Sequence, residues 1–96
     1  MADLWVTFSV IQHHYPLDSK VTLKIEELSD AEGTYEYTEE DGHVICISNA
    51  VEADQRAEVL CHEYAHACVN GYYGPESSAV WGVCYSGLYR LIFGEH

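Results

Sequence analysis

Between Val21 and Ser48 the apolar residues favour every second position, and from Asn49 onward they recur every three to four. That change of period constrains the fold more than any other feature. A strand turns successive side chains to opposite faces, whereas a helix gathers positions i, i+3 and i+4 on one face. Val21, Leu23 and Ile25 alternate with Thr22, Lys24 and Glu26, which predicts a half-buried strand. Thr34 to Thr38 reads as a second strand with Tyr35 and Tyr37 on one face. Asp41-Gly42 is a hairpin dipeptide, and His43 to Ser48 is a third strand rich in β-branched residues. A small, mainly antiparallel sheet is expected, with His43–Ser48 at its edge because that strand leads directly into the next helix.

Helices flank this sheet. Asp3 can cap a helix over 4–14, where Leu4, Phe8 and Ile11 form a stripe widened by Trp5. Pro16 ends it, since a residue before proline is steered out of the α region. Asn49-Ala50-Val51-Glu52 has the form of a capping box, and predicts a long helix through about residue 70, closed by Asn70-Gly71. Gly74-Pro75 opens a last helix, whose broad apolar face includes Val80, Trp81, Cys84, Leu88, Leu91 and Ile92, with Gly94 at its end. The order αβββαα predicts an α+β domain with helices over one sheet face. Ninety-six residues allow one domain, 1–96, with one modest core.

Charge narrows the partners. Lys20, Lys24, Arg56 and Arg90 stand against sixteen acids, for a formal net charge of −12. Such a chain repels phosphate, which argues against binding nucleic-acid backbones or anionic membranes. No apolar run approaches the ~18 residues of a membrane span. Cys46, Cys61, Cys68 and Cys84 form no C-x-x-C pair, and Met1–Trp5 lacks the positive start of a secretory signal. A cytoplasmic protein with reduced, packed thiols is the expectation.

Within the long helix lies His62-Glu63-Tyr64-Ala65-His66, an H-E-x-x-H motif. Residues i and i+4 lie one turn apart on the same face, so two imidazoles there can converge on one tetrahedral Zn²⁺. Glu63, beside the first histidine, can take a proton from a zinc-activated water and pass it to a leaving amine. The pattern is that of metal-assisted amide hydrolysis. A catalytic zinc commonly takes three protein ligands. Glu76, ten residues after His66 and across the Asn70-Gly71 turn, is the leading third candidate, with His43 and His96 as alternatives. His43 could instead line the cleft, and His13 and His14 read as surface residues. Tyr72, Tyr73, Tyr85 and Tyr89 could place a phenol over the cleft, although Tyr85 and Tyr89 also have packing spacing. Cys61 and Cys68 lie on a helix face away from the histidines, where packing against the sheet or Cys84 is expected.

The segment Glu58–Ala67 resembles the active-site helix of small bacterial and phage zincins of the SprT-like and ImmA/IrrE-like, minimal gluzincin, kind. Trp81-Gly82-Val83-Cys84-Tyr85-Ser86-Gly87-Leu88-Tyr89-Arg90 is similar to their W-G-x-x-Y-x-x-x-Y-R tail. The resemblance implies a minimal zincin core and a cytoplasmic, zinc-dependent peptidase, with His62 and His66 as ligands and Glu63 as base. SprT-like relatives often place a histidine a few residues before the tryptophan. Glu76, Ser77 and Ser78 stand near that position here, so Glu76 would make the site gluzincin-like.

Two functions follow as expectations. One is a zinc metallopeptidase acting on an extended peptide or protein added to a sheet edge. The other is an acidic interaction protein, catalytically weak or inactive, that binds a basic partner or mimics DNA. It draws on the eleven acids between Glu26 and Glu58, a stretch whose one basic residue is Arg56.

Overall fold

The fold was analysed from a computed structural model that describes residues 3–70 and 78–94. The elements run α1 (Leu4–His14), β1 (Val21–Glu26), β2 (Gly33–Thr38), β3 (Gly42–Ser48), α2 (Arg56–Val69) and α3 (Ser78–Phe93), with a 3-10 turn at Ala53–Gln55. The expected α+β layout is the one observed. Asp3 caps α1 by accepting a hydrogen bond from the Trp5 amide at 3.0 Å.

The sheet is mixed, in the order β1-β3-β2. β2 pairs antiparallel with β3, as the hairpin dipeptide requires, and Gly42 takes the left-handed conformation (φ 73°) at the turn. β1 pairs with β3 in parallel. The connection between β1 and β2 passes the end of β3, where the Ser48 amide donates to the Glu32 carbonyl at 2.8 Å. β2 is thereby laid down on the far side, and His43–Ser48 becomes the central strand instead of the expected edge. Among the described residues β1 and β2 carry the free edges.

Register divides the sheet into two faces. Paired residues share a face, so Ile25–Ile47–Gly33, Leu23–Ile45–Tyr35 and Val21–His43–Tyr37 form three rows on one side. Leu23, Ile45 and Ile47 from these rows join Ile11, Leu60, Cys61, Tyr64, Ala65 and Leu88 in the core. The other face carries Thr22, Lys24, Thr34 and Glu36. α2 lies over β2 and β3 and packs on α3, while α1 rests against both helices. The Tyr64 hydroxyl, fully buried, donates to the Tyr15 carbonyl at 2.7 Å and ties α2 to the end of α1.

The Asn49 capping box does not form. The Asn49 amide donates to the Glu26 carbonyl at 2.9 Å and extends the strand pairing, so it is not free for the Glu52 side chain as a capping box needs. Ser48 Oγ instead accepts from the Ala50 amide at 3.1 Å. α2 starts at Arg56, and its N-cap, Gln55, makes no side-chain capping bond. The Asn70 end stands as expected. The Gly74-Pro75 start of the last helix lies outside the described residues. Among those residues no helix is long and apolar enough to cross a membrane.

Candidate functional site

α2 reads as two faces. Leu60, Cys61, Tyr64 and Ala65 are wholly buried and fix the helix on the sheet. That packing turns the motif residues toward the rim, with His62 exposed, His66 half-buried and Glu63 only 8% exposed. The His62 and His66 rings lie edge to face with centroids 5.2 Å apart, as i and i+4 spacing demands. Burial, then the proximity of His62, holds the His66 imidazole below its ordinary range and favours its neutral form. A neutral imidazole is the form that ligates a metal.

Glu63 faces a cavity of about 490 Å³ that is also lined by Glu32, Gly33, Glu58, His62 and Tyr85. Gly33 makes the close approach of α2 possible. A Cβ at that position would stand 2.7 Å from Val59 Cγ1 and 3.2 Å from Glu63 Cγ. None of the described residues hydrogen-bonds the Glu63 carboxylate, and burial pushes its pKa up to about 7. A carboxyl with that pKa can both accept and return a proton near neutrality.

α3 closes the other side of the histidine pair. The Trp81 ring lies 4.8 Å from His62 and 5.5 Å from His66, and its Nε1 donates to the His62 carbonyl at 3.3 Å. Tyr85 stacks on Trp81 at 5.0 Å and 6°, so its ring both packs and lines the cavity. Tyr89 continues the stack toward Phe93 and does not line that cavity.

His43 lies elsewhere. It is 4% exposed, its Nδ1 is 2.8 Å from the Tyr35 hydroxyl, and the Tyr35 ring stacks on both His43 (5.8 Å) and His66 (6.4 Å). Among the described residues no three His, Cys, Asp or Glu side chains come together as a group that could hold a metal ion. His43 therefore does not complete a site with His62 and His66. Glu76 and His96 lie outside the described residues. The donor types of His62 and His66 suit zinc, and a zinc held there would need a further ligand.

His13 and His14 are exposed. All four cysteines are free, Cys61 is fully buried, and Cys68 faces Cys84. Sequence reasoning missed Glu32, Gly33 and Glu58 as cavity residues, and treated Trp81 as core. The Trp81 contact follows from the packing of α3 along α2, which no local motif signals. Compared with family models, curated proteins and solved structures, the chain matches none.

Proposed function

We propose that this chain is a zinc-dependent metallopeptidase of minimal gluzincin type, acting in the cytoplasm on peptides or proteins. The observation that carries the reading is Glu63, buried without a partner and opening on a cavity beside the paired rings of His62 and His66. His62 and His66 would hold the metal, with Glu76 as the third ligand. Bound zinc would polarise a peptide carbonyl and make water acidic enough to attack it. Glu63 would hold the proton and return it to the leaving amine. Tyr85, at the cavity wall, can donate a hydrogen bond to developing charge. Trp81 shields one side of the histidine pair from water. Gly33 sets the depth at which Glu63 sits.

The substrate main chain has a free edge to pair with. β2 borders α2 and, among the described residues, bonds to β3 on one side only, so an extended peptide could add along its other side. This replaces the central strand β3 as the expected docking edge.

Metal analysis and peptide cleavage test the reading together. About one zinc per chain is expected, falling clearly in His62→Ala and in Glu76→Ala. Glu63→Gln should retain zinc while losing roughly 10²–10⁴-fold in cleavage of a peptide library. Undiminished cleavage in Glu63→Gln would remove the catalytic assignment, and full zinc retention in Glu76→Ala would remove the third ligand. Retained binding of a basic partner by Glu63→Gln, with no cleavage by the unmutated chain, would favour the interaction protein.

A further inference from the structure

The cavity beside His62 and Glu63 is walled by carboxylates and, among the described residues, by no cation. Glu32 approaches from the residue before β2, and Glu58 from the first turn of α2. The four basic side chains are directed elsewhere. Arg56, nearest in sequence, donates to the Val51 carbonyl at 2.9 Å and the Asn49 carbonyl at 3.2 Å. Arg90 lines a separate groove beside Phe93. Lys24 lies in β1, on the sheet face away from α2, and Lys20 just precedes that strand.

Carboxylates are common on a chain of net charge −12, so their clustering alone assigns nothing. Glu63 is the independent observation. It is more than nine-tenths buried, and none of the described residues hydrogen-bonds it. No polar side-chain atom among them is fully enclosed without a partner, so the Glu63 oxygens open on the cavity. The site is thus built to receive a group from outside.

That group is not a bare metal ion, because the three carboxylates do not converge as a metal-holding group. They stand around a space of about 490 Å³, within the range of roughly 300–1,000 Å³ typical of ligand pockets. An extended organic cation matches this arrangement. A guanidinium carries five donors in a planar fork and can face more than one carboxylate. The half-buried Tyr85 ring offers a cation a π surface.

We propose that this cavity is the subsite for an arginine or lysine side chain of a bound peptide, selected by Glu32 and Glu58. Among the described residues no lysine or arginine side chain lines the cavity to offset their acidity. The proposal deepens the peptidase reading by naming its substrate class, and rests on that reading for the fate of the peptide but not for its binding.

Fluorescence anisotropy with a labelled alanine-rich heptapeptide tests it, the central residue being arginine or its neutral isostere citrulline, at about 0.15 M salt. The arginine peptide should bind about tenfold tighter than the citrulline peptide. Glu32→Gln/Glu58→Gln should bring that ratio close to one. Glu39→Gln/Glu40→Gln removes the same charge from the β2–β3 turn and should keep the ratio. If the cavity double variant loses its far-ultraviolet dichroism, Glu32→Gln alone, at an exposed loop position, carries the comparison. A ratio near one in the unmutated chain, or equal losses in the cavity and turn variants, would overturn the proposal. Selective binding without cleavage by the zinc-loaded protein would uphold the subsite and remove the peptidase reading. Equal binding and equal cleavage of both peptides would do the reverse.

Discussion

His43 and Glu63 are titratable side chains buried to a similar depth, 4% and 8% exposed, on the two elements that meet beneath the candidate site. His43 has a partner, with the Tyr35 hydroxyl 2.8 Å from its Nδ1 and the Tyr37 ring 4.9 Å away. Both side chains line cavities, of about 620 and 490 Å³, but Glu63 receives no hydrogen bond from any described residue. A buried polar group that finds its partner inside the chain belongs to the framework. One that does not is held at a cost for something that comes from outside. The difference separates structure from function within one sheet–helix layer, and each side of it can be broken.

The largest effect is expected on the partnered side. His43→Ala removes packing against two tyrosine rings and strands the Tyr35 hydroxyl, and should cost about 2–4 kcal/mol in urea unfolding. A loss below about 1 kcal/mol would show that the Tyr35–His43 pair is not part of the framework. Gly33→Val should cost about 1–3 kcal/mol, since its first carbon already meets Val59 Cγ1 at 2.7 Å and the Cys46 carbonyl at 3.2 Å. It should also weaken whatever binds the cavity, because Glu63 Cγ is the other atom displaced. A fully stable Gly33→Val would mean that α2 can lift from β2 at no cost.

The same pair sets a pH dependence. Burial holds the His43 imidazole below its ordinary 6.5, with Asp18 opposing weakly. Such a group contributes stability that is complete above pH 6.5 and lost as the pH falls through its folded value. His66 is shifted in the same direction, by burial first and then by His62. Glu63, its pKa pushed up to about 7, acts in the opposite sense over the same range, so the comparison is made in Glu63→Gln, where urea midpoints of metal-free protein should fall between about pH 7 and pH 5, and fall less when His43→Phe is added. Identical declines in the two proteins would remove His43 as a source.

Much of this was legible beforehand, and the gaps have physical causes. The motif pair could be placed because i and i+4 geometry is local, and α1, the hairpin turn and the Asn70 helix end are equally local. The sheet order was not local. β1 shows strict alternation, whereas β3 carries Val44-Ile45-Cys46-Ile47 as an unbroken apolar run, the pattern of a strand flanked on both sides. That run was the available signal for a central strand. The Asn49 capping box failed because the same amide was claimed by Glu26 across the sheet, a competition no local window contains. Glu32 and Glu58 stand twenty-six residues apart and meet at one cavity only through the β2–α2 packing.

The smallest effect tests the unpartnered side most directly. An ionised carboxylate that burial has partly stripped of water destabilises the fold that holds it, and a neutral isostere of the same shape lowers that cost. Glutamine still leaves an amide unpaired, so the relief is partial, about 1 kcal/mol. Glu63→Gln is thus expected to be slightly more stable than the unmutated chain at about pH 8 in chelator, while losing peptidase activity. Gain of stability with loss of function distinguishes a group retained for chemistry from one retained for packing. A glutamine variant less stable by 1 kcal/mol or more would place Glu63 with His43 in the framework, and the contrast between the two would collapse.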